Sequence, residues 1–378
     1  MTANCQDGQW WVDRHWVRAV AVVIGLLVVL QPWQPSGLFS HAVLLTVSAA
    51  AVCFGVMPLV IAIAWRIGAL DYPDAKRRIH NQPTPRIGGV AIFIAVNITL
   101  LLNFNYSMEL KGVTISAMVI ATLSLVDDIK PLSALFKLVI QLLALAVLML
   151  SGVHADMGNS FWWWPLEIAI TALWMVGITN AFNFLDGING LAGCLAVVVS
   201  GLMGVLAWHT DQVYMLLLCF SVAGAALGFL PDNARYRQPA RTFMGDVGST
   251  YLGWMMAAIA LMGGWSDEGV IKSYSAPLLI FSVMIFDMIY TTVARIYRGD
   301  VTSLREWVDF VGRDHLHHRL LEMGCSPPQA VVMVAVFTLM MGLAALAIIK
   351  SSMLATVLLL AQAFVFYAVL SFLMLRSR

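Results

Sequence analysis

The sequence predicts an all-α, polytopic membrane protein, a bundle of about 11 to 12 transmembrane helices with both termini in the cytoplasm. Hydrophobic residues make up 60% of the 378 residues and charged residues only 11%, which is far more apolar than a soluble domain. The apolar residues form continuous runs, which favours helices over a β-barrel. With twelve spans, 19 of the 22 Lys and Arg residues face one side, and the positive-inside rule makes that side cytoplasmic.

Twelve apolar runs approach the length of about 20 residues that crosses a bilayer. The first follows Arg14 and Arg18, and we interpret it as a signal anchor, because the QPWQPSG after it lacks an A-x-A cleavage signal. Residues 1–41 are therefore an N-terminal extension, and 42–378 form the membrane domain. In chain order, the predicted spans are 17–31, 42–65, 88–103, 112–126, 134–150, 162–181, 188–208, 213–230, 247–263, 274–294, 329–349 and 353–374.

The connections between these spans are unequal. Outer connections are short, whereas the cytoplasmic connections 71–86, 231–243 and 295–328 are long and polar. Functional residues are therefore expected on the cytoplasmic face. The five cysteines show no C-x-x-C spacing, so neither a disulfide framework nor a thiolate zinc site is indicated.

Two adjacent aspartates, Asp127 and Asp128, stand where the fourth apolar run ends in SLVDDIKPLSALFK. One of them could simply cap a helix, but a cap needs only one carboxylate. Neighbouring like charges repel each other and cost stability unless a cation shares them. The pair therefore indicates a divalent metal or a site for a cationic substrate, beside the plainer capping role.

Two further cytoplasmic segments carry acidic and amide side chains. In NAFNFLDGINGLAG, Asn180, Asn183 and Asp186 follow at intervals of three, which places them on one face of a helix. In FMGDVGSTYLG, Asp246 lies in a glycine-rich turn that enters a span. Such a turn offers free N–H groups to a phosphate, and the aspartate can hold the magnesium that accompanies it. An ordinary helix-connecting turn is the alternative in both places.

Basic residues form clusters in two cytoplasmic loops. In the last loop, RDHLHHRLL lacks the three or four convergent N or S ligands of a zinc site. A cluster that binds phosphate oxygens fits better, although the positive-inside rule or anionic lipid would also explain the arginines. The last loop contributes Arg313, His315, His317, His318 and Arg319, and the second loop contributes Lys76, Arg77, Arg78, His80 and Arg86.

Carboxylates, a divalent cation and basic side chains on one membrane face are typical of phosphoryl transfer, and the membrane implies a lipid substrate. A secondary transporter is the alternative, but it would place ionisable groups near the bilayer midplane. Here Glu167 and Asp287 are the main charges within the spans. A CDP-alcohol phosphotransferase is disfavoured, because Asp186 and Gly187 are followed by INGLAG and not by a nearby A-R pair.

Five motifs occur in the order seen in the polyprenyl-phosphate N-acetylhexosamine-1-phosphate transferases, glycosyltransferase family 4. They are PTPRIGG (83–89), LVDDIKPLSALFKLVIQ (125–141), NAFNFLDGINGL (180–191), FMGDVGS (243–249) and HLHHRL (315–320). The resemblance runs from about residue 42 to the C-terminus. HLHHRL resembles the undecaprenyl-phosphate GlcNAc-1-phosphate transferase branch more than the phospho-MurNAc-pentapeptide translocase, whose corresponding loop has three consecutive histidines.

The resemblance implies transfer of HexNAc-1-phosphate, GlcNAc-1-phosphate first, from cytosolic UDP-HexNAc to undecaprenyl phosphate. The products would be undecaprenyl-diphosphate-HexNAc and UMP, and the cofactor would be Mg²⁺, with Mn²⁺ as an alternative. It implies a bacterial inner-membrane enzyme that initiates a cell-surface polysaccharide, and O-antigen, teichoic acid, common antigen and exopolysaccharide all stay open. A homodimer is compatible with the resemblance, and no nucleic-acid partner is expected.

The resemblance also implies roles for individual residues. Asp127, Asp128, Asp186 and Asp246 would be catalytic, and Asp127, Asp128 and Asp246 would also be metal ligands. Substrate would be bound by Lys137, Asn180, Asn183, Phe243, His315, His317, His318, Arg319, Lys76 and His80, with Lys137 on phosphate and Phe243 stacked on uracil. The chain departs from the family's D-G-x-D-G pattern with Asn189 at the second acidic position, so Asn189 is left out of the metal set.

The acceptor's own chemistry favours one of two mechanisms. A phosphate monoester has a second pKa of about 6, so the lipid phosphate is largely a dianion at neutral pH. It therefore needs little help from a base. Direct in-line attack on the β-phosphorus, with Asp127 or Asp128 positioning the acceptor, is favoured over an aspartyl-bound intermediate.

Overall fold

The computed structural model of the chain describes residues 6–29, 37–73, 82–103, 106–158, 161–266, 268–303, 306–307, 310, 312 and 314–376. In these residues the fold is helical apart from one pair of two-residue strands. The helices are α1 (Gln6–Val29), α2 (Leu38–Ile67), α3 (Gly89–Asn103), α4 (Met108–Ile129), α5 (Ala134–Leu150), α6 (Trp164–Leu185), α7 (Leu191–His209), α8 (Val213–Asn233), α9 (Gly245–Met262), α10 (Val270–Ile280), α11 (Ser282–Arg298), α12 (Leu316–Glu322), α13 (Pro327–Ile348) and α14 (Met353–Arg376).

The small strands lie in the connection between α2 and α3. Strand β1 (Leu70–Asp71) pairs antiparallel with β2 (Thr84–Pro85), with Leu70 opposite Pro85 and Asp71 opposite Thr84. A short 3-10 helix, Phe161–Trp163, leads into α6. The all-α prediction is confirmed, with this strand pair as a local addition.

Each predicted apolar run falls on helix, so the chain is a polytopic membrane protein. By length and composition, seven of the described helices can cross a membrane on their own: α2, α4, α6, α7, α8, α13 and α14. Shorter apolar helices cover Val17–Val28, Gly89–Leu101 and Ala134–Leu150. The predicted number of 11 to 12 spans therefore includes segments shorter than a full crossing. The cytoplasmic location of both termini stays a prediction.

The structure corrects one predicted span. Residues 274–294 belong to two helices and not to one. Helices α10 and α11 are bent by 76° at the break between them. In α11, Asp287, Thr291 and Arg295 follow at intervals of four and are buried, whereas the apolar Ile289 and Val293 are each 59% exposed. The polar face of α11 thus packs inward, an arrangement that apolar content alone does not reveal.

Helix α9 is the buried centre of the fold. All residues from Val247 to Ala260 are buried, and α9 packs against α3, α4 and α6. Polar pairs join it to its neighbours: Trp254 Nε1 donates to Ser116 Oγ at 2.9 Å, and Ser124 Oγ lies 2.8 Å from Thr250 Oγ1. Because protein surrounds α9, its polar groups find partners within the bundle. Its first turn is thereby held rigidly at one end of α4 and α6.

The starts of α3 and α9 touch backbone to backbone. A Cβ added to Gly89 would lie 2.1 Å from Gly248 Cα and 2.2 Å from Gly248 N, and Gly89 N donates to Met244 O at 2.8 Å. A flexible side chain could move aside, but a helix backbone cannot without shifting the helix. Only glycine therefore fits this crossing.

We expect Gly89→Ala to destabilise the protein by about 3 kcal/mol, because overpacking forces the two helices apart. Gly177→Ala is the matched control, since a Cβ there meets nothing within 4 Å and Ala favours helix by about 1 kcal/mol. Thermal unfolding of both variants in the same detergent checks this. A midpoint for Gly89→Ala at or above that of Gly177→Ala would contradict the close approach.

Candidate active site

A cavity of about 930 Å³ lies among the connections α2–α3, α6–α7, α8–α9 and α12–α13. Residues discussed from sequence line it: Arg86, Asn183, Asp186, Gly187, Asn189, Phe243, Asp246 and His318. The cavity volume falls within the range of about 300–1,000 Å³ that is common for small-molecule sites. The α6–α7, α8–α9 and histidine motifs, far apart in sequence, therefore share one cavity.

The Asp127 carboxylate is held by groups that follow it in the chain. Its Oδ1 accepts from Leu132 N at 2.7 Å, and its Oδ2 accepts from Lys137 Nζ at 2.9 Å. Leu132 belongs to the connection between α4 and α5, and Lys137 lies in the first turns of α5. Within the protein, the cationic partner of Asp127 is therefore the ammonium of Lys137, and the predicted metal or cationic substrate stays a prediction.

The Asp128 carboxylate has a different partner set and caps α9. Its oxygens accept from Asp246 N at 3.1 Å and Val247 N at 2.9 Å, which are free N–H groups of the first turn of α9. Arg86 Nε lies 3.2 Å from Asp128 Oδ1. The capping role thus holds for Asp128, with Arg86 as a neighbouring cation, and this residue fixes α9 to the end of α4.

Asp246 is the point where these groups converge. Its Oδ1 accepts from Asn183 Nδ2 at 3.2 Å, and its Oδ2 lies 3.6 Å from Lys137 Nζ. The carboxylates of Asp246 and Asp127 also interact directly. Two acidic side chains therefore share one lysine, which leaves a local excess of negative charge at the cavity wall.

Asp186 adds a further carboxylate to the cavity as the residue that ends α6. Burial, with the charges of Asp246 and Asp128, raises the pKa of Asp186 well above its ordinary value. Since negative neighbours raise this pKa, a cation bound nearby would lower it again and stabilise the ionised form. The electrostatics of the cavity therefore favour a cation.

The donor set fits a hard divalent cation that is completed by its substrate. Among the described residues, no three His, Cys, Asp or Glu side chains form a metal-ligand group, so the ligand set Asp127, Asp128 and Asp246 stays a prediction. Mg²⁺ usually takes one or two carboxylates together with substrate phosphates. Asp246 suits that pattern best, because both oxygens of Asp127 and both oxygens of Asp128 already accept short hydrogen bonds from N–H groups of the protein.

The histidines divide into different environments. His318 lines the cavity, and the His317 ring packs so closely on the backbone of the LDG motif that a Cβ on Gly187 would lie 2.1 Å from His317 Nε2. Neither ring nitrogen of His317 has a hydrogen-bond partner within the described part of the chain. Burial, with the neighbouring histidines, lowers the pKa of His317 well below its ordinary value, so this ring is neutral at pH 7.

His315 is engaged by protein groups on both ring nitrogens. Its Nδ1 lies 2.7 Å from Asp287 Oδ2, and Arg295 Nη2 donates to its Nε2 at 3.3 Å. Asp287 also accepts from Leu316 N at 2.6 Å. His315 thus joins α12 to the buried polar face of α11. This contact explains why Asp287, one of the main charges within the predicted spans, can be buried.

Other predicted site residues lie beside the cavity or outside the described residues. Asn180 exchanges hydrogen bonds with Gln141 of α5, and Arg319 pairs with Glu322 at 2.9 Å. Lys76 and His80 lie outside the described residues, as do Arg77, Arg78 and Arg313. The substrate-binding roles of all these residues stay predictions.

The cavity also contains residues that the sequence did not single out. Asn233 and Tyr236 of the α8–α9 region line it, together with Thr84 of β2. Their only signal in the sequence was their place in long polar connections. Asn233 connects the α6–α7 and α8–α9 connections. Its Oδ1 accepts from Gly190 N at 2.7 Å, and its Nδ2 donates to Thr242 O at 3.0 Å.

The sequence is similar to those of known proteins. Residues 110–264 match the model of glycosyl transferase family 4. A probable undecaprenyl-phosphate N-acetylglucosaminyl 1-phosphate transferase of Bacillus subtilis is 33% identical over 304 residues, which cover 79% of this chain and 82% of the relative.

Two other relatives extend the comparison. A decaprenyl-phosphate N-acetylglucosaminephosphotransferase of Mycolicibacterium smegmatis is 31% identical over 77% of this chain and 78% of its own. An undecaprenyl-phosphate α-N-acetylglucosaminyl 1-phosphate transferase of Yersinia pestis is 27% identical over 72% of this chain and 74% of its own. The chain therefore belongs to glycosyl transferase family 4, in the branch of the undecaprenyl-phosphate GlcNAc-1-phosphate transferases.

Proposed function

We propose that the protein transfers GlcNAc-1-phosphate from UDP-GlcNAc to undecaprenyl phosphate at the cytoplasmic face of a bacterial inner membrane, with Mg²⁺ as cofactor. The observation that carries the proposal is the meeting of Asp127 and Lys137 with Asp246, which is the member of this group that lines the cavity. Carboxylates that can hold a cation, beside a lysine that can contact phosphate, are what a charged diphosphate requires. The activities for which the relatives are named agree with this reaction.

The nucleotide end of the donor is assigned to the α8–α9 side of the cavity. Phe243 and Tyr236 line this side and offer aromatic faces to a base. Asp246 follows this segment in the first turn of α9 and accepts from Asn183 Nδ2 of α6, and the diphosphate would meet the carboxylates and Lys137 there. The donor thus spans from an aromatic wall to a charged wall.

The lipid acceptor is assigned to the outer surface of α5. Phe136, Val139 and Leu143 are 48%, 46% and 57% exposed on this helix, which is expected of side chains that face lipid. Lys137 on the same helix points to the carboxylates. A polyprenyl chain along α5 would therefore bring its phosphate towards Lys137 and Asp127.

The proposed reaction is a single in-line displacement. An oxygen of the acceptor phosphate forms a bond to the β-phosphorus, the bond between that phosphorus and the bridging oxygen breaks, and UMP leaves with the electron pair. Asp127 positions the acceptor and takes any proton that remains on it, while Lys137 and His318 stabilise negative charge on the phosphates. Bound Mg²⁺ would supply charge neutralisation of the diphosphate.

The test is UMP release by the purified protein from UDP-GlcNAc and Mg²⁺, with and without undecaprenyl phosphate. We expect release that depends on the lipid and is lost on addition of EDTA. Activity with another UDP-HexNAc alone would keep the chemistry and change the sugar. A burst of UMP without lipid would contradict the single-step mechanism, and no release with any donor would contradict the proposed function.

A further inference from the structure

The N-terminal helix α1 contributes one charged side chain to the interior of the protein. Arg18 is only 7% exposed, and its Nη2 lies 2.8 Å from Oδ1 of Asp232, which is fully buried. The guanidinium also lies over the ring of Phe54, with Cζ 4.3 Å from the ring centroid. A hydrophobic anchor needs no such contact, because burying an arginine costs free energy unless a partner compensates it.

Helix α1 is packed closely enough on α2 to hold this arginine in place. A Cβ on Gly55 would lie 2.6 Å from Arg18 O and 2.3 Å from Val22 Cγ2. A Cβ on Gly25 would lie 3.0 Å from Ser48 O. Small residues at these two levels let the helices approach closely, as is common between membrane helices. Arg18 therefore reaches Asp232 from a fixed backbone.

Asp232 is the residue through which α1 meets the α8–α9 connection. Its Oδ1 also accepts from Arg241 Nη1 at 3.0 Å, and its backbone oxygen accepts from Arg241 N at 2.8 Å. Within the described residues, its Oδ2 has no hydrogen-bond partner. The carboxylate thus pairs with two arginines, and the removal of Arg18 leaves it with a single ion pair and one fewer hydrogen bond in a buried position.

The segment after Arg241 runs directly into the cavity wall. Thr242 Oγ1 and Phe243 N both donate to Pro85 O, at 3.0 and 2.7 Å. Asp246 follows in the first turn of α9. Asn233, next to Asp232, holds Gly190 N and Thr242 O. The position of the segment 232–243 therefore depends on the Asp232 carboxylate at its start.

We propose that Arg18 is a positioning residue for nucleotide binding: it binds the Asp232 carboxylate from the side of α1 and so holds the segment 232–243 in the conformation that lines the cavity. Helix α1 is then a functional part of the enzyme and not only an anchor. The nucleotide assignment rests on the proposed function, whereas the link from Arg18 to the segment rests on the contacts alone. Arg18 touches no reacting group, so its loss should weaken donor binding more than it slows the chemical step.

The first test is steady-state kinetics of Arg18→Met in UMP release. We expect KM for the UDP-HexNAc donor to rise about tenfold with kcat within about twofold of wild type, the pattern of lost binding common to ground and transition states. Arg18→Lys, which keeps the charge, should recover part of the affinity. Arg66→Met is the control, an exposed arginine on the neighbouring α2.

Hydrogen–deuterium exchange separates this inference from the proposed function. In Arg18→Met, amides of 232–243 should exchange faster than in Arg66→Met, with the other helices unchanged. If wild type releases no UMP with any donor, the proposed function fails, but faster exchange confined to 232–243 still supports the link from Arg18. Wild-type KM with unchanged exchange would overturn the proposal, and so would faster exchange throughout the protein, which would make Arg18 only a stabilising residue.

Discussion

Replacement of Asp246 by Asn is expected to lower kcat for UMP release by on the order of 10³-fold, the loss seen when a preorganised electrostatic group is removed. The amide has nearly the shape of the carboxylate, and its oxygen can still accept from Asn183 Nδ2. Only the negative charge next to Asp127 and Lys137 disappears. The loss therefore reports on charge, and hence on cation binding, and not on packing.

The measurement is a comparison of lipid-dependent UMP release with thermal unfolding for the same preparations. Asp211→Asn is the matched control, because Asp211 is exposed in the α7–α8 connection at the end of α7 opposite to the cavity. We expect wild-type activity for Asp211→Asn and a wild-type unfolding midpoint for both variants. Raising Mg²⁺ should restore little of the Asp246→Asn activity, since a ligand is missing.

Retention of more than about a tenth of the activity in Asp246→Asn would contradict a metal-binding or charge-stabilising role, because that role is worth several kcal/mol. Asp128→Asn provides a second comparison. Since Asp128 caps α9, its neutralisation should lower the unfolding midpoint as well as activity. If Asp128→Asn loses stability while Asp246→Asn loses only activity, the two effects are separate. That result would distinguish Asp128, which caps a helix, from Asp246, which acts in the reaction.

The helices were largely predictable because membrane helices are long, apolar and continuous. The prediction was wrong about the geometry of one apolar run. Residues 274–294 were predicted as a single span, yet the chain bends by 76° between α10 and α11. The sequence held a sign of this, the polar residues Asp287, Thr291 and Arg295 spaced by four. A buried polar face requires partners, and those partners, such as His315, lie elsewhere in the chain.

The candidate site was predictable as a set of motifs but not as a set of contacts. Asn183, Asp186 and Asp246 were singled out and line one cavity. It was not predictable that Asp127 would pair with Lys137 whereas Asp128 would cap α9. Asp128 reaches the amide of Asp246, 118 positions away, and Arg18 reaches Asp232 across 214 positions. Pairings at such distances are set by helix packing, which no local pattern encodes.

The second large effect on activity is expected on replacement of Lys137, whose contacts are compatible with two roles. It is 2.9 Å from Asp127 and 3.6 Å from Asp246, so it could serve only to neutralise these carboxylates. The proposed mechanism instead gives it direct contact with phosphate. We expect Lys137→Met to lower kcat/KM by about 10²-fold or more, because a cation that faces developing phosphate charge is lost. Lys130→Met, an exposed lysine at the end of α4, is the charge-matched control.

A double-mutant cycle with Asp127→Asn tests whether Lys137 acts only by neutralising Asp127. If Lys137 acts only by neutralising Asp127, its removal costs little once Asp127 is already uncharged, and the double variant matches Asp127→Asn. If Lys137 contacts phosphate, Lys137→Met carries its full penalty in the Asp127→Asn background as well. We expect the second result, measured as kcat/KM for the donor at saturating undecaprenyl phosphate. Since the ammonium of a lysine acts as a point charge, Lys137→Arg should retain part of the activity only if the larger guanidinium can reach the same phosphate.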